Sequence, residues 1–177
     1  MIADNDRACL LKLARDVITA HATGRPIPEV LQTGITAQRA GVFVTLHNGK
    51  ELRGCIGHLE ADESFGIVVP RCAIAASSQD PRFSAVTPDE VPRLTIELSV
   101  LCAPEPITGA ADVEIGRHGL VVEQGRHRGL LLPQVAIEWK WDATTFLAHA
   151  CHKAGLPMDA WQRGAQLWRF EAEVFSE

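Results

Sequence analysis

An apolar alternating run, Gly41-Val42-Phe43-Val44-Thr45-Leu46, reaches His47-Asn48-Gly49 and continues beyond Lys50 into Glu51-Leu52-Arg53-Gly54-Cys55-Ile56-Gly57-His58-Leu59-Glu60. Asn-Gly between two apolar runs is a strong short-range hairpin signal. The segment therefore reads as strand, tight turn, strand. It concentrates a thiol, a guanidinium, an imidazole and two glycines on or just beyond the second strand. Period-two alternation puts Arg53, Cys55 and Gly57 on one face and Leu52, Gly54 and Ile56 on the other.

The chain has 177 residues, enough for one domain with a real core or two small lobes sharing one. A net charge of -5 argues against general nucleic-acid binding, which needs a basic surface. No apolar run approaches the roughly 18 residues a membrane helix needs. Asp4, Asp6 and Arg7 precede the first apolar positions, unlike a secretory signal, so a cytoplasmic location is the expectation. Five cysteines at 9, 55, 72, 102 and 151 lack any Cys-x-x-Cys spacing. An odd, widely spaced set is not a disulfide framework, and most of these residues read as small apolar core groups. The chain contains no tyrosine, which excludes a tyrosine general acid.

Residues 4–21 show one apolar stripe at helical spacing, Leu10, Leu13, Ala14, Val17 and Ile18, with Asp4 or Asn5 as candidate cap. Residues 25–40 read as a long connection. A helix is expected over 61–79, where Pro70 either starts the main helix or kinks a longer one. Leu94–Leu101 is the clearest strand: Leu94, Ile96, Leu98 and Val100 point one way, Thr95, Glu97 and Ser99 the other. Ala103–Pro106 closes it. A second hairpin is expected from 119–123 and 129–132 around a loop of four or five residues. Residues 134–141 are ambiguous between helix and loop. Asp142 caps a helix over 143–154 that ends at Gly155. Leu167–Val174 reads as one terminal strand. Hairpin-paired strands with about three helices give an α+β class with a mainly antiparallel sheet.

An arginine two residues from Cys55 on the same strand face would stabilise a thiolate, and flanking glycines would let a ligand approach the backbone. The opposing reading makes Cys55 a buried small residue and pairs Arg53 with a carboxylate. Glu97 and Ser99 share this face if their strand neighbours the 52–57 strand, and Arg53 and Glu97 could then pair. Cys55-x-x-His58 and His149-x-x-His152 each offer two metal ligands where zinc needs three or four, so no metal is expected. Asp80-Pro81-Arg82-Phe83 reads either as a pocket wall with an anion-binding arginine or as a turn locked by an Asp80–Arg82 contact. Four late tryptophans, Trp139, Trp141, Trp161 and Trp168, read as packing, with a stacking platform as the alternative.

The run Leu52-Arg53-Gly54-Cys55-Ile56-Gly57 resembles the signature of the AMMECR domain family, whose bacterial and archaeal members are called AmmeMemoRadiSam system protein A. The likeness extends through Asp80-Pro81-Arg82-Phe83, Ile96–Leu101, Ile115–Leu120, Leu131–Ala136 and Cys151–Pro157, spanning roughly residues 8–175 in order. The resemblance implies a single α+β domain of two unequal lobes around a cleft, with the Leu52–Gly57 stretch near that cleft. It directs attention to Arg53, Cys55 and Gly57, and to Asp80, Arg82, Glu97, His118 and Gln134. Family genes often accompany a Memo-like protein and a radical SAM protein, which implies a shared modification or biosynthetic pathway.

Two functions are therefore expected to compete. The favoured one is an accessory or substrate-binding protein of that pathway, gripping a small anionic ligand or peptide through Arg53 and Arg82, with Gly54, Gly57, Asp80 and Gln134 around it. The alternative is an enzyme with Cys55 as nucleophile or covalent carrier and Glu97 or His118 moving protons. No cofactor is expected.

Overall fold

The computed structural model describes residues 1–177, and contacts divide them into two units: Met1–Leu101 with Glu173–Glu177, and Cys102–Ala172. In the first unit, the stripe of Leu10, Ala14, Val17 and Ile18 is fully buried along one face of α1 (Asp4–Ala22). The helix starts one residue earlier than a side-chain cap would require: Ala3 stands at the N-cap, and neither Asp4 nor Asn5 caps it. The connection that follows holds one short 3-10 turn, Gly34–Ala37, which buries Ile35.

The hairpin forms as β1 (Val42–Asn48) and β2 (Glu51–His58), with Thr45 opposite Cys55. Gly49 takes the positive φ, 63°, that its turn needs. A register irregularity between Leu46 and His47 breaks the alternation, so Leu52 stands exposed instead of facing the core. Next comes α2 (Phe65–Ser78), which keeps Pro70 inside it. Pro70 has no N–H, so the carbonyl of Gly66 four residues earlier lacks its helical partner. The strand Leu94–Leu101, β3, has the expected bounds and pairs with β1. The sheet order is β2-β1-β3-β8, with β8 at Ala172–Ser176. Helices α1 and α2 pack on each other, α2 covers β1 and β2, and α1 reaches β3. Val42, Val44, Leu46, Ile96 and Leu98 are fully buried beneath them. Each such aliphatic side chain contributes about 2 kcal/mol through burial.

The second unit has its own sheet, β4-β7-β5-β6, built from Glu105–Ile107, Gln166–Phe170, Gly119–Gln124 and His127–Leu131 in that order. Its hairpin turn is tighter than expected, with Gln124 paired to His127. Pro106 lies on β4, a three-residue edge strand where a missing N–H is tolerated. The ambiguous segment becomes the short helix α3 (Pro133–Glu138). Asp142 caps α4 (Ala143–Lys153) by accepting the Thr145 N–H at 2.8 Å. Phe146, Leu147, Ala150 and Cys151 carry the apolar face of α4 onto Leu120, Val122 and Leu167. Leu167–Val174 is not one strand: it splits at Glu171 into β7 and β8, which belong to different sheets. Four α-helices and two four-stranded sheets make an α+β fold.

Both α3 and α4 end in the same hydrogen-bond pattern. After α4, Gly155 donates to His152 and Leu156 to Cys151, with Gly155 at φ 75°. After α3, Lys140 donates to Ile137 and Trp141 to Ala136, with Lys140 at φ 55°. Lys140 is the only non-glycine residue with positive φ, a conformation that costs an L-residue about 1 kcal/mol. Lys140→Gly should therefore raise unfolding stability by about 1 kcal/mol in urea denaturation. A Cβ on Gly54 would sit 2.1 Å from the Ala76 carbonyl oxygen of α2, whereas on Gly57 it would first meet the Phe43 ring, at 2.2 Å. Gly54→Ala is expected to cost about 3 kcal/mol and Gly57→Ala about 2 kcal/mol, because Phe43 must shift its whole ring, Cγ included, whereas the α2 backbone has nowhere to go.

Candidate functional site

The face of β1–β3 opposite the helices carries the polar residues singled out in the sequence. The register aligns Cys55, Thr45 and Glu97 in one row across β2, β1 and β3. Because β1 lies between, Cys55 and Glu97 are two strand spacings apart, about 10 Å. Thr45 fills the middle and donates its hydroxyl to the Cys55 sulfur at 3.2 Å. Thr45 and Ser99 are buried, while Cys55 is half-buried.

Asp80, just beyond the end of α2, is 4 % exposed and supports Cys55 from the other side. Its Oδ2 accepts the Cys55 backbone N–H at 2.9 Å and an Arg82 guanidinium N–H at 2.7 Å. Its Oδ1 accepts the Arg82 backbone N–H at 3.1 Å and Arg82 Nε–H at 3.0 Å. The Asp80–Arg82 lock anticipated for this turn is thus present. Arg82 holds the Asp80 carboxyl well below the usual carboxylate range, helped by the two backbone donors. Arg82 itself is about half exposed and lies over the Phe83 ring.

Arg53 does not act on Cys55 and does not pair with Glu97. Its Nε–H donates to Glu90 at 2.9 Å and its terminal N–H groups reach Glu90, Ser84 O and Ala85 O. The Arg53 pair holds the Glu90 carboxyl down at about 2. Burial pushes the Cys55 thiol above the ordinary cysteine value, and the charges of Asp80 and Glu97 push the same way. The Thr45 hydrogen bond and the Arg82 charge oppose this and do not outweigh it.

The remaining candidates fall elsewhere. The space over Gly54 is filled by the α2 backbone and that over Gly57 by Phe43, so both are packing positions. His118 and Gln134 belong to the second unit. There His118 is buried, and its Nδ1 accepts the Glu114 N–H at 2.9 Å. Burial, with Arg169 and Arg117 nearby, pushes its pKa down and keeps the ring neutral at pH 7. With Cys102, Glu105, Arg169 and Glu171 it lines a pocket of about 220 Å³. Gln134 is exposed on α3.

His58 contacts Asp62 at 2.6 Å. Glu63 brings a third ligand atom within 4.8 Å of both but is neutralised by Arg71. None of the five cysteines is paired in a disulfide. Cys72 and Cys151 are core residues, and burial pushes the Cys72 thiol up to about 11. Sequence reasoning missed Thr45 and Glu90. Thr45 shares the alternation phase of Cys55's face. Glu90 belongs to a Thr-x-x-Glu capping pattern, in which it accepts the Thr87 N–H at 2.7 Å.

An α+β chain built around this Leu-Arg-Gly-Cys-Ile-Gly hairpin is of the AMMECR type. The AMMECR1 family model matches residues 11–175, and the chain belongs to that family. It is 40% identical to Protein Mbar_A1807 of Methanosarcina barkeri, over 100% of this chain and 93% of the relative. To Protein MJ0810 of Methanocaldococcus jannaschii it is 41% identical, over 94% and 88%. The crystal structure of Uncharacterized Protein PH0010 from Pyrococcus horikoshii superposes with a TM-score of 0.84 at 39% identity, covering 99% of this chain and 93% of that one.

Asp80 and Glu90 have folded-state pKa values below their unfolded ones, so their stabilisation is full above about pH 4.5 and disappears as pH falls through the folded values. The urea midpoint should therefore drop between about pH 4.5 and pH 2. The Asp80→Asn/Glu90→Gln double variant should start lower and show a shallower acid fall, because those two sites no longer titrate.

Proposed function

We propose that this protein is an accessory or substrate-binding member of a modification or biosynthetic pathway, working beside a Memo-like and a radical SAM protein. The carrying observation is the state of Cys55. Its thiol is held protonated by burial, and its hydrogen-bond partner is the hydroxyl of Thr45, not a histidine or carboxylate base. A cysteine nucleophile needs the opposite arrangement, a lowered pKa or an adjacent base. The polar row Cys55-Thr45-Glu97 suits recognition of a ligand by hydrogen bonds. Both arginines of the unit's polar face already hold a carboxylate, so an anionic ligand group would meet the outer Nη1 edge of half-exposed Arg82 rather than Arg53. Family membership supports the pathway assignment through the resemblance set out above. A second reading, Cys55 as nucleophile, draws its support from the Arg82 charge, which acts on the thiol in the activating direction.

Peptide-resolved alkylation separates the two. Cys9 and Cys102 are exposed and would dominate a bulk thiol assay, so labelling must be mapped to Cys55. The Cys55 rate should inflect at a pH above the ordinary cysteine value, independent of how access limits its absolute rate. An inflection below pH 8 would overturn the accessory reading. A Cys55→Ala gene should also restore the metabolite profile of a deletion strain, which a required nucleophile would forbid.

A further inference from the structure

The second unit carries a groove that the Cys55 face does not use. It holds about 490 Å³ and is walled by Leu131, Val135, Trp139 and Trp141, with His149 and Lys153 from α4. Two elements build it. The left-handed Lys140 reverses the chain after α3, so that Trp139 and Trp141 stack at 5.9 Å with planes 19° apart. Trp141 in turn lies on His149 at 3.9 Å with planes 3° apart. The result is a shelf of three rings, whose outermost member, Trp139, is 66% exposed. Positions 149 and 153 are four apart on α4, so Lys153 stands one turn beyond the shelf on the same helix face. His152 adds a second polar group to that end. No carboxylate lines the groove, and Lys153 has no ion-pair partner, in a chain whose net charge is -5.

We infer that this groove is a binding site for a small planar aromatic anion. The ring of the ligand lies against Trp139 and Trp141 along the Leu131–Val135 wall, and its carboxylate or phosphate pairs with Lys153. The volume is that of a small-molecule pocket, and an apolar wall with a few convergent polar groups is the usual composition of one. Ring-on-ring stacking rewards a flat ligand, and the unpaired ammonium selects its charge. The left-handed Lys140 carries backbone strain that a glycine would relieve, and the ring pair is what its conformation positions.

The test uses the full-length, 15N-labelled protein titrated with 2-naphthoate, with 2-naphthamide as its neutral isostere. Saturable shifts are expected at the indole N–H signals of Trp139 and Trp141 and at the amides ending α4, but not at Trp161 or Trp168. The amide should bind about tenfold more weakly, as loss of one charge-assisted contact requires. Lys153→Ala should weaken 2-naphthoate by a similar factor and leave 2-naphthamide unchanged, and Trp139→Ala should weaken both. Both replaced side chains are exposed, and unchanged thermal melting of each variant would verify the fold. Equal binding of the two probes, no effect of Lys153→Ala, or shifts confined to other surfaces would overturn the inference. So would indole shifts that follow protein concentration without ligand, which would assign the groove to a second copy of the chain.

Discussion

The first unit depends on one buried carboxylate. Asp80 sits where α2 ends and accepts four hydrogen bonds, from Arg82 three times and from the Cys55 backbone once. Strand β2 is an edge of its sheet, so its outward N–H groups would otherwise be open to a foreign strand. Asp80 covers one of them. Arg53 then draws the following loop along the same edge by binding Ser84 O and Ala85 O. A buried charge is tolerated only when paired and hydrogen-bonded, and the Asp80 carboxylate has both. The helix end, the loop and the edge strand are thus fixed relative to one another by two side chains, Asp80 and Arg53.

That arrangement decides the character of Cys55. Its backbone is clamped, its sulfur accepts from a hydroxyl, and its surroundings disfavour charge. Two features that promise an activated thiol in the sequence act otherwise in the fold. Arg53 neutralises Glu90, and the glycines on either side admit a helix backbone and a phenylalanine ring instead of a ligand. The thiol belongs to a polar row whose chemistry is hydrogen bonding.

Elements with strong periodicity were legible: the stripe of α1, the alternation of β3, the Asn-Gly hairpin and the Asp142 and Gly155 caps each encode local geometry in local residue order. Strand order was not, because alternation states which way a side chain points and not which strand lies beside it. The pattern leaves Glu97 open to lie beside Cys55, whereas β1 runs between them and makes Thr45 the neighbour. The same limit hid the split at Glu171: Leu167–Val174 keeps its alternation while changing sheets, so nothing in the pattern marks the break. The Arg53–Glu90 pair spans 37 positions, and short-range patterns do not choose among distant carboxylates.

The chain's order places the whole of Cys102–Ala172 between β3 and the segment that completes its sheet. Glu173, just past that insertion, accepts the Ile2 N–H and binds Arg7, so the beginning of α1 is anchored by residues made long after it. On the ribosome, the first unit emerges with its β3 edge unpaired and stays so throughout translation of the second. Because β7 and β8 are separated by Glu171 alone, the two sheets receive their last strands almost together, and β3, among the most apolar segments of the chain, is exposed to mispairing until then.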